Sequence, residues 1–170
     1  MDCSDLLNNA GIQTPQRPMA EITDDEFDRT VAVDLKGVWN CMRYEILQML
    51  RQGGGAIVNT SSQGGVTGFP GQAAYIACQH AVIGLTRTAA IDYAAKHIRI
   101  NAVCPGVIRT PMAEELMSRN PQLEAELVRD IPAGRLGKPE EIANAVLWLC
   151  GPQASFVDGH ALLVDGAFSI

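Results

Sequence analysis

The chain has 170 residues, 47% of them apolar and 19% charged, with 19 acidic against 13 basic side chains for a formal net charge of -6. That length favours a single domain over 1–170 that buries roughly two thirds of its unfolded surface, and an acidic balance without a Lys/Arg cluster argues against nucleic acid or an anionic membrane as partner. No apolar run reaches the ~20 residues of a membrane span, residues 1–9 lack the apolar centre of a signal peptide, and Cys3, Cys41, Cys78, Cys104 and Cys150 are an odd set without a C-x-x-C pair, which reads as reduced thiols of a cytoplasmic protein, with no metal site.

Asp5-Leu6-Leu7-Asn8 reads as a short buried strand that runs into the turn Asn9-Ala10-Gly11. Thr23-Asp24-Asp25-Glu26 carries the signature of a capping box. From Phe27 the apolar residues Val31, Leu35, Val38, Trp39, Met42, Ile46 and Leu50 recur at helical spacing, which predicts one long helix over 24–51, stopped by Gly53-Gly54-Gly55. Ala56 to Ser61 is a second buried strand, and a loop from Gly64 to Gly71 leads to a second long helix over 73–95. Ile98 to Val103 is a third strand, closed by Pro105-Gly106; a looser helical region covers 112–129. Pro139-Glu140-Glu141 opens another helix, with proline and acids in the turn where they are favoured. Ala161-Leu162-Leu163-Val164 is the last strand.

Strands apolar on both faces, alternating with long helices, predict an α/β fold: a parallel sheet covered by helices in the doubly wound manner. No G-x-G-x-x-G or G-x-x-x-G-x-G loop joins a strand to a helix in this sequence. The element that grips a dinucleotide pyrophosphate at a helix N-terminus is therefore not among these residues.

Several motifs in order carry a resemblance. They are Asn8-Asn9-Ala10-Gly11, Val33-Asp34-Leu35-Lys36-Gly37, Ile57 to Ser62, Tyr75 thirteen residues after Ser62, Ile98-Arg99-Ile100-Asn101, Pro105-Gly106, Thr110-Pro111-Met112, Pro139 to Ala143, and Val164-Asp165-Gly166. Together the chain resembles the classical short-chain dehydrogenase/reductase family nearly end to end. The middle section is similar to the branch acting on cyclic diols and sugars, including cyclohexadiene-diol dehydrogenases.

That resemblance implies the C-terminal part of a Rossmann-like domain, about four strands with flanking helices, without the N-terminal Gly-rich portion. It implies hydride transfer between NAD or NADP and a small alcohol or ketone. Tyr75 would be the base and Ser62 would hold the substrate oxygen. Gln79 stands at the family's lysine position and Asp34 at its asparagine position. Asn9, Ala10, Gly11, Tyr75 and Gln79 would approach the cofactor ribose; Pro105, Gly106, Ile108 and Thr110 would seat the nicotinamide. The two long helices, with the last strand, would form contacts of a homo-oligomer, a dimer or tetramer.

Two positions depart from the family pattern. A tyrosine has an ordinary pKa near ~10 and needs a neighbouring cation to work as phenolate. Gln79 brings no charge and Asp34 brings the wrong one, so both hold Tyr75 as phenol. His80 is one place along the helix from Gln79 and does not share its face. With the Gly-rich portion also missing, the expectation is a chain without tight NAD(H) or NADP(H) binding and without measurable turnover. The alternative is a non-catalytic relative that keeps its oligomer surfaces. The strand at Leu6 to Asn8 would then be a bare sheet edge.

Other residues read as structural. Asn59 is expected to hold strands together, Trp39, Trp148 and the methionines to pack in the core or an interface, and Cys78 to act as a small buried hydrophobe. Glu114, Glu115, Glu124 and Glu126 read as a solvated helical face.

Overall fold

The computed structural model describes residues 4–120 and 122–170. Strand β1 (Asp5–Asn8) precedes helix α1 (Asp24–Thr30), a π-helical segment (Val31–Gly37) and helix α2 (Val38–Gln52). Strand β2 (Gly55–Thr60) leads through a short 3-10 turn (Gln63–Gly65) into helix α3 (Ala73–Tyr93). Strand β3 (Ile98–Pro105), helices α4 (Pro111–Arg119), α5 (Leu123–Arg129) and α6 (Pro139–Cys150), and strand β4 (Ala161–Val164) complete the chain.

The four strands form one parallel sheet in the order β1-β2-β3-β4. Consecutive side chains on a strand face opposite ways. Ile57 therefore joins the core under α2 and α3, with Met42, Ile46, Met49, Val82, Ile98 and Ile100. Val58 joins the core under α6, with Val103, Val146 and Leu149. Each such fully buried side chain contributes about 1.5–3 kcal/mol relative to its exposed state. A third, smaller cluster gathers Met117, Ile131 and Leu136 beside α4 and α5. β1 is an edge strand: it pairs with β2, and Leu7 on it is 46% exposed.

Local chemistry explains the element ends. Thr23 and Glu26 make the expected capping box: the Glu26 N–H donates to the Thr23 hydroxyl and the Thr23 N–H to the Glu26 carboxylate. Gly53 ends α2 at φ +92°, a conformation that glycine adopts without strain. The Arg99 guanidinium on β3 donates to the Leu149 and Cys150 carbonyls at 2.5 and 2.8 Å, capping the last turn of α6.

The structure differs from the sequence expectations at two points. The helix expected over 24–51 is interrupted by the wide turn of Val31–Gly37. The helical region over 112–129 is two helices, α4 and α5. Trp39 and Trp148, expected in the core or an interface, are 54% and 43% exposed, and Met19 is on the surface, which excludes the core for these three and leaves the interface. No described helix is long and apolar enough to cross a membrane.

Candidate active site

The site is built at the C-terminal ends of the strands, where a doubly wound sheet receives its ligands. β2 ends at Thr60, and the Ser61 N–H continues its ladder to the Val103 carbonyl at 2.8 Å. The Ser61 hydroxyl then donates to the Gln79 carbonyl on α3 at 3.0 Å. Gly65 packs so closely here that a Cβ would lie 2.5 Å from the Ser61 oxygen. These contacts fix the strand end against α3.

Ser62 follows in extended backbone and caps the 3-10 turn, its oxygen accepting the Gly64 N–H at 3.0 Å. With a lone pair used in that way, its own proton is free to be given to Tyr75. Ser62 lies near enough to Tyr75 to pull the phenol pKa down. The net shift is upward: burial is the largest cause, and the negative charge of Asp34 adds to it. Tyr75 is therefore held as phenol. It is half-buried and lies in the first turn of α3.

Asp34 sits in the π-helical segment, 1% exposed. Its Oδ1 accepts the Ile12 N–H at 2.8 Å and its Oδ2 has no donor among the described residues. Burial pushes its pKa up, and the Ile12 bond pulls it partly back. Gln79 stands one helical turn after Tyr75 on the same face of α3 and is 5% exposed, its Oε1 also without a donor. Both departures from the family pattern therefore flank the tyrosine. His80 is exposed and its ring Nδ1 engages the Ile76 carbonyl at 3.0 Å. Cys78 is buried, with its thiol pushed up to about 11 by burial and by Asp34.

Asn9, Ala10 and Gly11 are exposed beyond the end of β1; the Thr60 hydroxyl donates to the Asn9 side-chain oxygen at 3.0 Å. Gly11 lies against Asp34, with a would-be Cβ 3.7 Å from its Oδ1. Pro105 ends β3, and the Gly106 N–H donates to the Val164 carbonyl at 3.0 Å. Ile108 and Thr110 belong to a neighbouring group: Ile108 bridges to Gly137, and the Thr110 hydroxyl accepts from the Ala113 N–H at the start of α4. A cavity of about 320 Å³ opens there, lined by Ile108, Ile131, Arg135, Leu163 and Asp165 among others, and apart from Ser62 and Tyr75.

Asn59 holds two strands together as expected, through its bond with Asn8, and belongs to a wider network beside this site that sequence reasoning did not foresee. Asn8, Glu45, Asn59 and Thr86 form a continuous set of side-chain hydrogen bonds. The signal was present: two asparagines at matching positions of two apolar strands. Among the described residues, no group of three or more His, Cys, Asp or Glu is gathered where a metal could sit.

The family model described as enoyl-(acyl carrier protein) reductase matches residues 3–169. A 2,5-dichloro-2,5-cyclohexadiene-1,4-diol dehydrogenase of Sphingobium indicum is 43% identical over 96% of this chain and 66% of its own length. A cyclohexanol dehydrogenase of an Acinetobacter species is 44% identical over 96% of this chain and 62% of its own. The solved structure "ElxO with NADP Bound" superposes with a TM-score of 0.94 at 34% identity, covering 97% of this chain and 66% of that one. The chain thus spans 62–66% of the length of these relatives. A match running from residue 3 to residue 169 takes in the whole of this sheet and the helices on both its faces, and the chain belongs to the short-chain dehydrogenase/reductase family.

Proposed function

We propose that this chain carries the reacting end of an NAD(P)-dependent oxidoreductase that interconverts a secondary alcohol and its ketone. The placement of Ser62 just past the end of β2, near Tyr75 in the first turn of α3, carries the reading. The names of the cyclic-alcohol relatives support a small cyclic substrate, and the NADP-bound relative supports a nicotinamide cofactor.

The residues fit the neutral end of such a cofactor. The Asn9 amide, the backbone of Ala10 and Gly11 and the Tyr75 hydroxyl are uncharged hydrogen-bonding groups, suited to ribose hydroxyls. Pro105, Gly106, Ile108 and Thr110 are half-buried and would wall the nicotinamide side. Gln79 would join the ribose contacts only by turning its sealed side chain outward. Bound there, the cofactor supplies the hydride acceptor or donor.

The chain's own groups handle the proton. Ser62 donates to the substrate oxygen and steadies charge that develops on it. Tyr75 accepts the substrate hydroxyl proton in oxidation and returns it in reduction. The lysine that would favour its phenolate is replaced by Gln79, and Asp34 opposes ionisation. The partial positive charge at the N-terminus of α3, with Tyr75 in its first turn, offsets a part of this. The substrate partner is a small molecule. Exposed Trp39, Tyr44 and Leu47 on α2 and Ile91 on α3 support a homo-oligomer seam between copies of the chain, a dimer or tetramer, which sedimentation equilibrium measures.

The test is turnover of cyclohexanol with NAD and NADP as a function of pH. Turnover is expected to be low near neutral pH and to climb on the alkaline side as Tyr75 ionises. Tyr75→Phe removes that climb and lowers kcat/KM by about 10²–10⁴-fold. A rate independent of pH, or one that survives Tyr75→Phe, removes Tyr75 from the role of base.

A further inference from the structure

Two buried oxygens near Tyr75, Asp34 Oδ2 and Gln79 Oε1, have no donor among the described residues. A sealed acceptor left unpaired costs about 1–3 kcal/mol, and more when it carries charge. The two oxygens of Asp34 are therefore unequal: Oδ1 is satisfied by the Ile12 N–H and Oδ2 by nothing.

Among the described residues, the elements packed around Asp34 bring no cation to it. α3 contributes Tyr75 and Cys78, both of which feel Asp34 as a negative charge, and the uncharged Gln79. The loop after β1 contributes the Ile12 N–H. Lys36, in the same π-helical segment, is exposed, and the balance at Asp34 holds only burial and the Ile12 bond. A ligand ammonium would have to reach oxygens that present no surface. A proton needs no room.

We propose that Asp34 is held in this chain as a neutral carboxylic acid, its Oδ2–H donating into the contact between the π-helical segment and α3, and that loss of this proton raises the pH at which Tyr75 ionises. In that form Oδ1 still accepts from Ile12 while Oδ2 becomes a donor. That is the one-acceptor, one-donor pattern of a side-chain amide at the same place. Gln79 Oε1 is the acceptor on α3 that lacks a donor. The proton comes from water on folding and returns to water as pH rises. Once it leaves, a carboxylate faces the phenol and holds the phenol's own proton in place. Asp34 thus acts through Tyr75, as a positioning residue. The proposal rests on the oxidoreductase reading only for its consequence in catalysis, because the proton can be observed without cofactor or substrate.

The experiment is a carbon and nitrogen NMR titration of the full chain. The Asp34 carboxyl, identified by its loss in Asp34→Asn, is expected to titrate above the ~3.9 of a free aspartate. The Ile12 amide, which donates to Oδ1, should follow the same transition in the unmutated chain. In Asp34→Asn the Tyr75 ring transition, identified by its loss in Tyr75→Phe, should move to lower pH; a purely packing role would not move it. The idea is overturned if Ile12 and Asp34 titrate together in the free-aspartate range, or if the Tyr75 transition stays where it was. Should Asp34→Asn fail to fold, the Ile12 transition in the unmutated chain decides alone.

Discussion

The Asn8 side chain on β1 donates to the Asn59 side-chain oxygen on β2 at 2.9 Å, between two residues that are register partners in the sheet. Asn8 also donates to Glu45 on α2 at 3.0 Å, and Asn59 to the Thr86 hydroxyl on α3 at 2.9 Å. One chain of side chains thus ties two strands to both long helices, just below the site. Asn59 is fully buried, so its removal strands partners that water cannot reach. Asn59→Ala should lower stability by about 2–4 kcal/mol, read as a shift of the urea midpoint at unchanged slope.

Ser62 lowers the Tyr75 pKa, and Gln79 contributes no charge to it. Ser62→Ala should therefore move the phenol's ultraviolet titration to higher pH and reduce turnover by about 10²-fold. Gln79→Lys should move the same titration to lower pH, because a cation one turn along the helix favours phenolate. The two variants must shift in opposite directions for the assignment of Tyr75 to stand.

Glu141 supplies a pH dependence with the sign of a paired carboxylate. Arg135 grips it with two bonds of 2.9 and 2.6 Å and the Lys138 N–H adds a third of 2.7 Å, holding its pKa at about 2. Its folded pKa lies below the unfolded 4.5, so its stabilisation is complete above pH 4.5 and fades as pH falls towards about 2. Thermal melts of Glu141→Gln should differ from the parent above that window and converge with it below. Added salt should shrink the difference, since the pair is solvated.

Arg99 joins β3 to the last turn of α6 through the Leu149 and Cys150 carbonyls. Arg99→Ala leaves those carbonyls without their charged donor. A loss of about 1.5–3 kcal/mol is expected, with faster amide exchange concentrated at the C-terminal end of α6.

Much of this architecture is legible in the residues. β4 has the bounds its apolar run suggests, the capping box at Thr23 forms, and Gly53 stops α2 where three glycines announce a stop. Ser62 follows β2 and Tyr75 opens α3, the elements in which the sequence reading set them. What stayed hidden has physical reasons. Apolar periodicity reports that Trp39 and Trp148 are apolar, and is silent on whether they face their own core or a surface. It also cannot separate an α-helix from a single π-helical turn, since an interval of four suits both. Asp34 was legible as a misplaced charge near Tyr75; its bond to Ile12, a contact across twenty-two positions, was not.

The wide turn of Val31–Gly37 has a consequence for angular phase. Thr30, Asp34 and Val38 are buried at intervals of four. In an ordinary helix each residue advances about 100°, so two such intervals drift about 80° around the cylinder. Winding that bonds five residues back fits more residues into each revolution, and intervals of four fall nearly in line. Thr30, Asp34 and Val38 can then share one stripe towards α3. Were the segment to tighten to regular winding, that stripe would rotate and carry the carboxyl of Asp34 away from the Ile12 N–H that it now accepts.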